Sequence, residues 1–179
     1  SYQKAITIQP NLAEAYSSMG IALKSTGKLD EAIEAYKKAL DINPKSAKEN
    51  NRLGNALSEK GMLDEAIEAY NKALAIKPDY AEAHNNMGNA LKEHGKLGEA
   101  IEAYNKALSL RPDYTNAHNN IGIALQDQGK LEEAIEAYNK AISIEPDFSE
   151  AYSNMGNALQ DQGKLDKAVE AYKKAILIN

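Results

Sequence analysis

Hydrophobic and small residues recur along the chain at intervals of three and four positions. In the stretch from 11 to 26 these positions include Ala15, Met19 and Leu23, and a second stretch of the same kind runs from 29 to 42. Spacings of three and four place such side chains on one face of a helix. The pattern therefore predicts two amphipathic helices in succession.

The pair of predicted helices is repeated along the whole chain with one fixed period. All five prolines follow it, at positions 10, 44, 78, 112 and 146, each 34 residues after the last. Glycines equivalent to Gly27 fall between the two helices, where positive φ angles let the chain reverse, and the prolines end each second helix. A fixed period of this size is typical of an array in which each repeat buries its hydrophobic face against its neighbours.

A set of small, aromatic and proline residues recurs in the repeats, and in the first repeat it consists of Gly20, Leu23, Ala32, Tyr36, Ala39 and Pro44. With this set and this period, the chain resembles the tetratricopeptide repeat family over its full length. The resemblance implies an all-α fold, a right-handed superhelical solenoid of antiparallel helix pairs, with about five repeats plus one leading helix.

We expect the chain to form a single array over residues 1–179. On the register of the family, residues 1–12 are the end of a preceding repeat, because Tyr2, Ala5 and Pro10 match the pattern of a second helix. The four full repeats are expected at 13–46, 47–80, 81–114 and 115–148, and residues 149–179 form a last, truncated repeat. The first helix of the first repeat is expected to begin at Asn11, with Asn11 and Glu14 as a capping box.

The resemblance implies that the first helix of each repeat lines a concave surface, and the polar face of these helices is rich in asparagine. Aligned by repeat, the asparagines form three columns: Asn86, Asn120 and Asn154; Asn55, Asn89 and Asn157; Asn51, Asn85 and Asn119. A carboxamide both donates and accepts, so such a ladder suits the backbone of an extended peptide. Ile21 and Ile123 interrupt the polar surface as candidate apolar contacts. The alternative is a polar face that only interacts with solvent.

Basic residues gather in the second repeat, where Lys48 and Arg52 share one helix face and Lys24 lies one repeat earlier. Two cations four residues apart repel each other unless an anion lies between them. The pair resembles part of the carboxylate clamp of some family members, which makes these three residues a candidate carboxylate contact. The alternatives are a solvated face or an ion pair with Glu14 or Glu49.

Composition argues against several other classes of function. The net charge is −5 over 179 residues, which disfavours nucleic acid and anionic membranes as partners. No stretch is hydrophobic for long enough to span a membrane, and we expect a soluble, cytoplasmic protein. The chain has no cysteine, and its three histidines, His84, His94 and His118, lack the partners of a catalytic triad or a metal site. We predict no enzyme activity, no cofactor and no metal.

The predicted function is a protein-protein interaction module, an adaptor or scaffold that binds extended peptide segments. One alternative is the substrate-recognition arm of a larger enzyme such as a glycosyltransferase. Another is a self-assembling structural protein, because both ends of the array are hydrophobic and complementary. Head-to-tail association would join Tyr2, Ala5, Ile6 and Ile8 to a last helix with Leu165, Val169, Tyr172, Ala175, Ile176 and Ile178.

Overall fold

A computed structural model describes the backbone of residues 2–178 and the side chains of residues 12–178. This part of the chain is helical and contains no strand. The helices are α1 (Tyr2–Ser25), α2 (Leu29–Ile42), α3 (Ala47–Glu59), α4 (Leu63–Ile76), α5 (Ala81–Glu93), α6 (Leu97–Leu110), α7 (Thr115–Asp127), α8 (Leu131–Ile144), α9 (Ser149–Asp161) and α10 (Leu165–Ile178).

The helices pack as the predicted pairs, α1 with α2, α3 with α4, α7 with α8 and α9 with α10. Each turn inside a pair contains a glycine with φ between 74° and 82°, from Gly27 to Gly163. The residue after the glycine closes the turn, as Met62 N donates to Leu57 O over 2.9 Å. A left-handed glycine followed by such a bond is a common way to end a helix. The all-α class and the glycine turns are thus confirmed.

The recurring tyrosine and the recurring glycine of each repeat form one packing unit. Tyr36, Tyr70, Tyr104 and Tyr138 are at most 1% exposed. The Tyr70 ring lies against the backbone of Gly54, where a Cβ atom would come within 2.5 Å of it. Glycine therefore recurs in the first helix because any side chain would displace the ring.

The chain divides by its contacts into two compact units, Ser1–Ala90 and Leu91–Asn179. In the first unit, Ile33, Leu57 and Tyr70 belong to one buried cluster. In the second unit, Leu159 and Ala171 belong to another. Each unit thus has a core of its own, built from neighbouring repeats.

The start of the chain differs from the prediction. Helix α1 runs without a break from Tyr2 to Ser25, so the predicted helix end at Pro10 and helix start at Asn11 are wrong. A proline inside a helix removes one hydrogen bond but does not by itself reverse the chain. At later junctions the two flanking helices also pack on each other, as α8 and α9 do, and this packing fixes the reversal.

The second repeat begins with a cap that the repeat pattern conceals. The Ser46 hydroxyl accepts a hydrogen bond from Glu49 N over 3.3 Å and caps α3. Serine followed three residues later by glutamate is a capping-box sequence. The unusual sequence at the start of this repeat is therefore compatible with a well-formed helix.

Candidate peptide-binding surface

One of the three asparagine columns is buried and not on the surface. Asn51, Asn85 and Asn119 are between 2% and 4% exposed. We expected these three side chains to line a groove, but a ligand cannot reach carboxamides that lie between packed helices. Their position on the helical wheel, at the border of the apolar face, did not distinguish the two outcomes.

The buried asparagines join consecutive first helices, and in the first compact unit this joins α3 to α5. Asn86 Nδ2 donates to Asn51 Oδ1 over 3.2 Å. Asn51 Nδ2 in turn lies 3.5 Å from Glu82 Oε1 and 3.4 Å from the Tyr80 hydroxyl. Both ends of the buried carboxamide are thereby paired, as a buried polar group requires.

The second compact unit repeats this arrangement between α7 and α9. Asn154 Nδ2 donates to Asn119 Oδ1 over 3.1 Å, and Asn119 Nδ2 donates to Glu150 Oε1 over 3.2 Å. We call these contacts the asparagine ladder, defined by Asn51 with Asn86 and Glu82, and by Asn119 with Asn154 and Glu150. The ladder consists of bonds within the protein.

Arg52 occupies the ladder position of the second repeat, equivalent to Asn86, and Ser17 is equivalent to Asn51. Arg52 Nη1 donates to Ser17 Oγ over 2.5 Å and to Glu49 Oε1 over 2.7 Å. The arginine thus makes the same bond between first helices that asparagine makes elsewhere. Its charge is compensated by Glu49.

The structure does not bring the three candidate carboxylate contacts together. Lys24 forms an ion pair with Glu59, and Arg52 is engaged in the ladder. Lys48 lines a pocket of about 300 Å³ that Glu49 and Arg52 also line, together with Glu14. Two acidic and two basic side chains therefore surround this pocket. Because their charges cancel, the electrostatic attraction for an additional carboxylate is small there.

The pocket has a further feature that disfavours an anion. Glu49 Oε2 is buried, and no hydrogen-bond donor among the described residues reaches it. A buried carboxylate oxygen without a partner favours a donor such as an amide or ammonium group. The predicted clamp is thus not supported by the geometry.

A second column remains accessible. It contains Ile21 (45% exposed), Asn157 (also exposed) and the half-buried Asn55, Asn89 and Ile123. We call these five residues the exposed column. It is the part of the predicted groove whose side chains a partner can contact most readily. The column that contains Asn86, Asn120 and Asn154 is half-buried.

The recurring tyrosines hold side chains in or beside the exposed column. The Tyr70 hydroxyl donates to Asn55 Oδ1 over 2.8 Å, and the Tyr172 hydroxyl donates to Asn157 Oδ1 over the same distance. Where Ile123 replaces asparagine, the Tyr138 hydroxyl donates to Gln126 Oε1 over 3.0 Å, and the Tyr172 hydroxyl lies within 3.1 Å of the equivalent Gln160 Oε1 as well. The recurrence of the tyrosines in the sequence does not reveal this contact of their hydroxyl groups.

Two of the histidines fix the turns between repeats. Nε2 of His84 lies 3.0 Å from Pro78 O, and Nε2 of His118 lies 3.0 Å from Pro112 O. These contacts give both histidines a structural role.

Among the described side chains, no group of three or more histidine, cysteine, aspartate or glutamate residues could hold a metal ion. Within residues 2–178, no helix has the length and hydrophobicity needed to cross a membrane.

Comparison with known families agrees with the repeat geometry. Sequence models described as "TPR repeat" match residues 54–95, 88–129 and 124–163. Models described as "Tetratricopeptide repeat" match 13–46, 149–179 and 35–68. The chain belongs to the tetratricopeptide repeat (TPR) family. Proteins built from TPR repeats are generally non-catalytic adaptors.

Solved TPR structures cover nearly the whole chain. A crystal structure of MamA is 34% identical, with a TM-score of 0.78, over 89% of this chain and 93% of that one. YrrB, described as a TPR protein with an unusual peptide-binding site, is 26% identical with a TM-score of 0.72, over 100% and 92% of the two chains. The structure of pilF from Pseudomonas aeruginosa shares the fold, at 24% identity and a TM-score of 0.85, over 96% and 78%. A search of curated proteins found no match.

Proposed function

We propose that this TPR protein is a non-catalytic module that binds extended segments of partner proteins on the exposed face of its first helices. The observation that carries the proposal is the exposed column, in which each compact unit presents isoleucine and asparagine side chains at equivalent positions: Ile21, Asn55 and Asn89 in the first unit, and Ile123 and Asn157 in the second. The likeness to YrrB, a protein described as having a peptide-binding site, supports the same function.

The tyrosine contacts give the accessible asparagines a defined chemistry. Because Oδ1 of Asn55 and Asn157 already accepts a bond from a tyrosine hydroxyl, their Nδ2 groups are the donors that a ligand can use. An extended peptide presents carbonyl oxygens along its backbone, and side-chain donors can hold it whatever its sequence. Ile21 and Ile123 add apolar contacts that favour hydrophobic side chains of the ligand.

A random peptide library selected on the protein tests this proposal. We expect Asn55→Ala combined with Asn157→Ala to reduce the affinity for the selected peptides by about tenfold, since each lost donor contributes about 0.5 to 1.5 kcal/mol. Asn71→Ala combined with Asn105→Ala removes two exposed asparagines from second helices and is the matched control.

The selected peptides should bind the control variant as tightly as the parent protein. If they bind the Asn55 and Asn157 variant equally well while its melting temperature is unchanged, the exposed column is not the binding surface. Crosslinking a selected peptide to Ile123→Cys, in a chain that otherwise has no cysteine, locates the peptide directly.

A further inference from the structure

Two equivalent grooves run between consecutive second helices, on a part of the molecule that the exposed column does not use. In the first compact unit the groove lies between α2 and α4, with Leu53 and Leu57 of α3 in its lining and a volume of about 460 Å³. In the second unit it lies between α8 and α10, with Met155 and Leu159 of α9 in its lining and about 630 Å³. We call these the α2/α4 groove and the α8/α10 groove.

The α2/α4 groove shows that such a groove stays open when a following first helix is in place. Met87 and Ala90 of α5 pack with the core cluster that contains Leu57. The groove between α2 and α4 persists beside this packing. It is therefore a surface of the repeat itself and does not depend on an uncovered end.

The two grooves differ in charge. Two lysines, two glutamates and one aspartate line the α2/α4 groove. The α8/α10 groove is lined by four lysines and one glutamate: Lys164, Lys167, Lys173, Lys174 and Glu170. A cluster of lysines stands out in a protein whose net charge is −5.

Two of the differences are substitutions at positions that are otherwise regular. Lys167 replaces the glutamate that each of the other four repeats carries, at Glu31, Glu65, Glu99 and Glu133. Leu177, which is 80% exposed, replaces a small or polar residue, at Asp41, Ala75, Ser109 and Ser143. One change adds positive charge to the groove and the other adds hydrophobic surface. Leu177 lines the groove together with Ile135 and Met155, so it enlarges a contiguous hydrophobic surface there, and such patches mark interaction sites.

We propose that the α8/α10 groove binds an acidic amphipathic helix of a partner protein. A groove between two helices with an apolar floor accepts the apolar face of a third helix. Lysines at the rim would pair with carboxylates on both sides of that face and select an acidic partner. This surface is separate from the exposed column, so one protein could hold two partners at once.

Fluorescence anisotropy with a labelled probe tests the proposal. The probe is a short helical peptide with leucines three and four positions apart and glutamates elsewhere. Two comparison probes are the same peptide with lysine in place of glutamate, and a glutamate peptide without leucines. We expect the leucine-glutamate peptide to bind, with affinity that falls as salt is added, and both comparison probes to bind at least about tenfold more weakly.

Variants that restore the residue types found at the equivalent positions of other repeats locate the site. Lys167→Glu should reduce the affinity for the leucine-glutamate peptide by about tenfold, because the attraction between Lys167 and the peptide's carboxylates becomes a repulsion. Leu177→Ser should reduce the affinity by about threefold. Lys106→Glu changes the net charge by the same amount at an exposed position of α6 and should leave the affinity within about twofold. All three variants should keep the parent's circular dichroism and melting temperature.

Equal weakening by Lys106→Glu and Lys167→Glu would overturn the proposal, because only net charge would then matter. So would equal binding of the glutamate peptide that lacks leucines. These outcomes leave the exposed column untouched, since the library-selected peptides and the Asn55 and Asn157 variants test that surface independently.

Discussion

The last two second helices, α8 and α10, carry nearly the same pattern of residues but differ strongly in exposure. On α8, Tyr138 is fully buried and Ile135 is half-buried. On α10, Tyr172 is half-buried, and Val169 and Ile176 are 50% and 74% exposed. Helix α9 packs on α8, whereas no described helix follows α10. A second helix therefore encodes two interfaces, one with its own repeat and one with the next first helix.

The comparison predicts unequal costs for the same substitution. Tyr138→Ala removes a fully enclosed ring and should reduce the free energy of unfolding by about 3 to 5 kcal/mol. Tyr172→Ala removes a ring that is covered on one side and should cost about 1 to 2 kcal/mol. Urea denaturation measures both values. Equal costs would mean that covering by the next first helix contributes nothing.

The asparagine ladder predicts a second contrast, between two asparagines three residues apart on α9. Asn154→Ala leaves the buried Asn119 Oδ1 without its donor and should cost about 1 to 3 kcal/mol. Asn157→Ala removes an exposed carboxamide and should change stability by less than about 0.5 kcal/mol. A stability of Asn154→Ala equal to that of the parent would show that the ladder adds nothing to folding.

Buried tyrosines predict loss of stability in alkali. Burial raises the pKa of Tyr104 and Tyr138 above the usual value, and nearby carboxylates, Glu93 and Asp127 respectively, add to the shift. The stabilising contribution is complete below the unfolded pKa of about 10 and is lost as pH rises towards the folded pKa, by at most about 1.4 kcal/mol per pH unit for each tyrosine.

Chemical denaturation at pH values on both sides of 10 measures this loss. Tyr138→Phe keeps the ring but cannot ionise, so it should flatten the decline. A decline as steep as that of the parent would assign the alkaline instability to other groups.

The smallest change in stability is expected for Ile176→Glu, on the exposed face of α10. Because the side chain is 74% exposed, the free energy of unfolding should change by less than about 0.5 kcal/mol. If copies of the protein stack through this face, the substitution should abolish concentration-dependent association in light scattering. The residues expected on the other side of that contact, Tyr2, Ala5, Ile6 and Ile8, lie outside the described side chains. Ser143→Glu on α8 is the matched control, and a parent protein that stays monomeric would contradict self-assembly.

Much of the fold could be predicted from the sequence because it depends on local chemistry repeated many times. The glycine turns, the helix pairs and the buried tyrosines each require one kind of residue at one position. The continuous helix α1 was not predicted, because a proline disfavours a helical residue before it but does not by itself end the helix. At Pro146 the two flanking helices, α8 and α9, pack on each other.

The candidate surface was less predictable, because its polar residues interact across repeat boundaries. Alignment by the 34-residue period places equivalent residues in columns but conceals bonds between residues 31 and 35 apart, as in Asn119 with Glu150 and Asn154. The helical wheel assigned all three columns to the polar face. It could not tell which column lies against the neighbouring helix, since that depends on the angle between helices.

The ladder also limits how the array can grow or be rearranged. Each bond joins residues of two different repeats, so a repeat carries half of one joint at its beginning and half of another at its end. The repeat with Arg52 is matched to a predecessor with Ser17, and the repeat with Asn86 to a predecessor with Asn51. A tandem copy of the repeat at 47–80 would place Arg52 against Asn51, which accepts from the shorter Asn86 in this structure. The repeats at 81–114 and 115–148 carry asparagine at both ladder positions, so a tandem copy of either would place the same pair of residues at the new junction. The ladder thus disfavours duplication of one repeat and is compatible with duplication of two others.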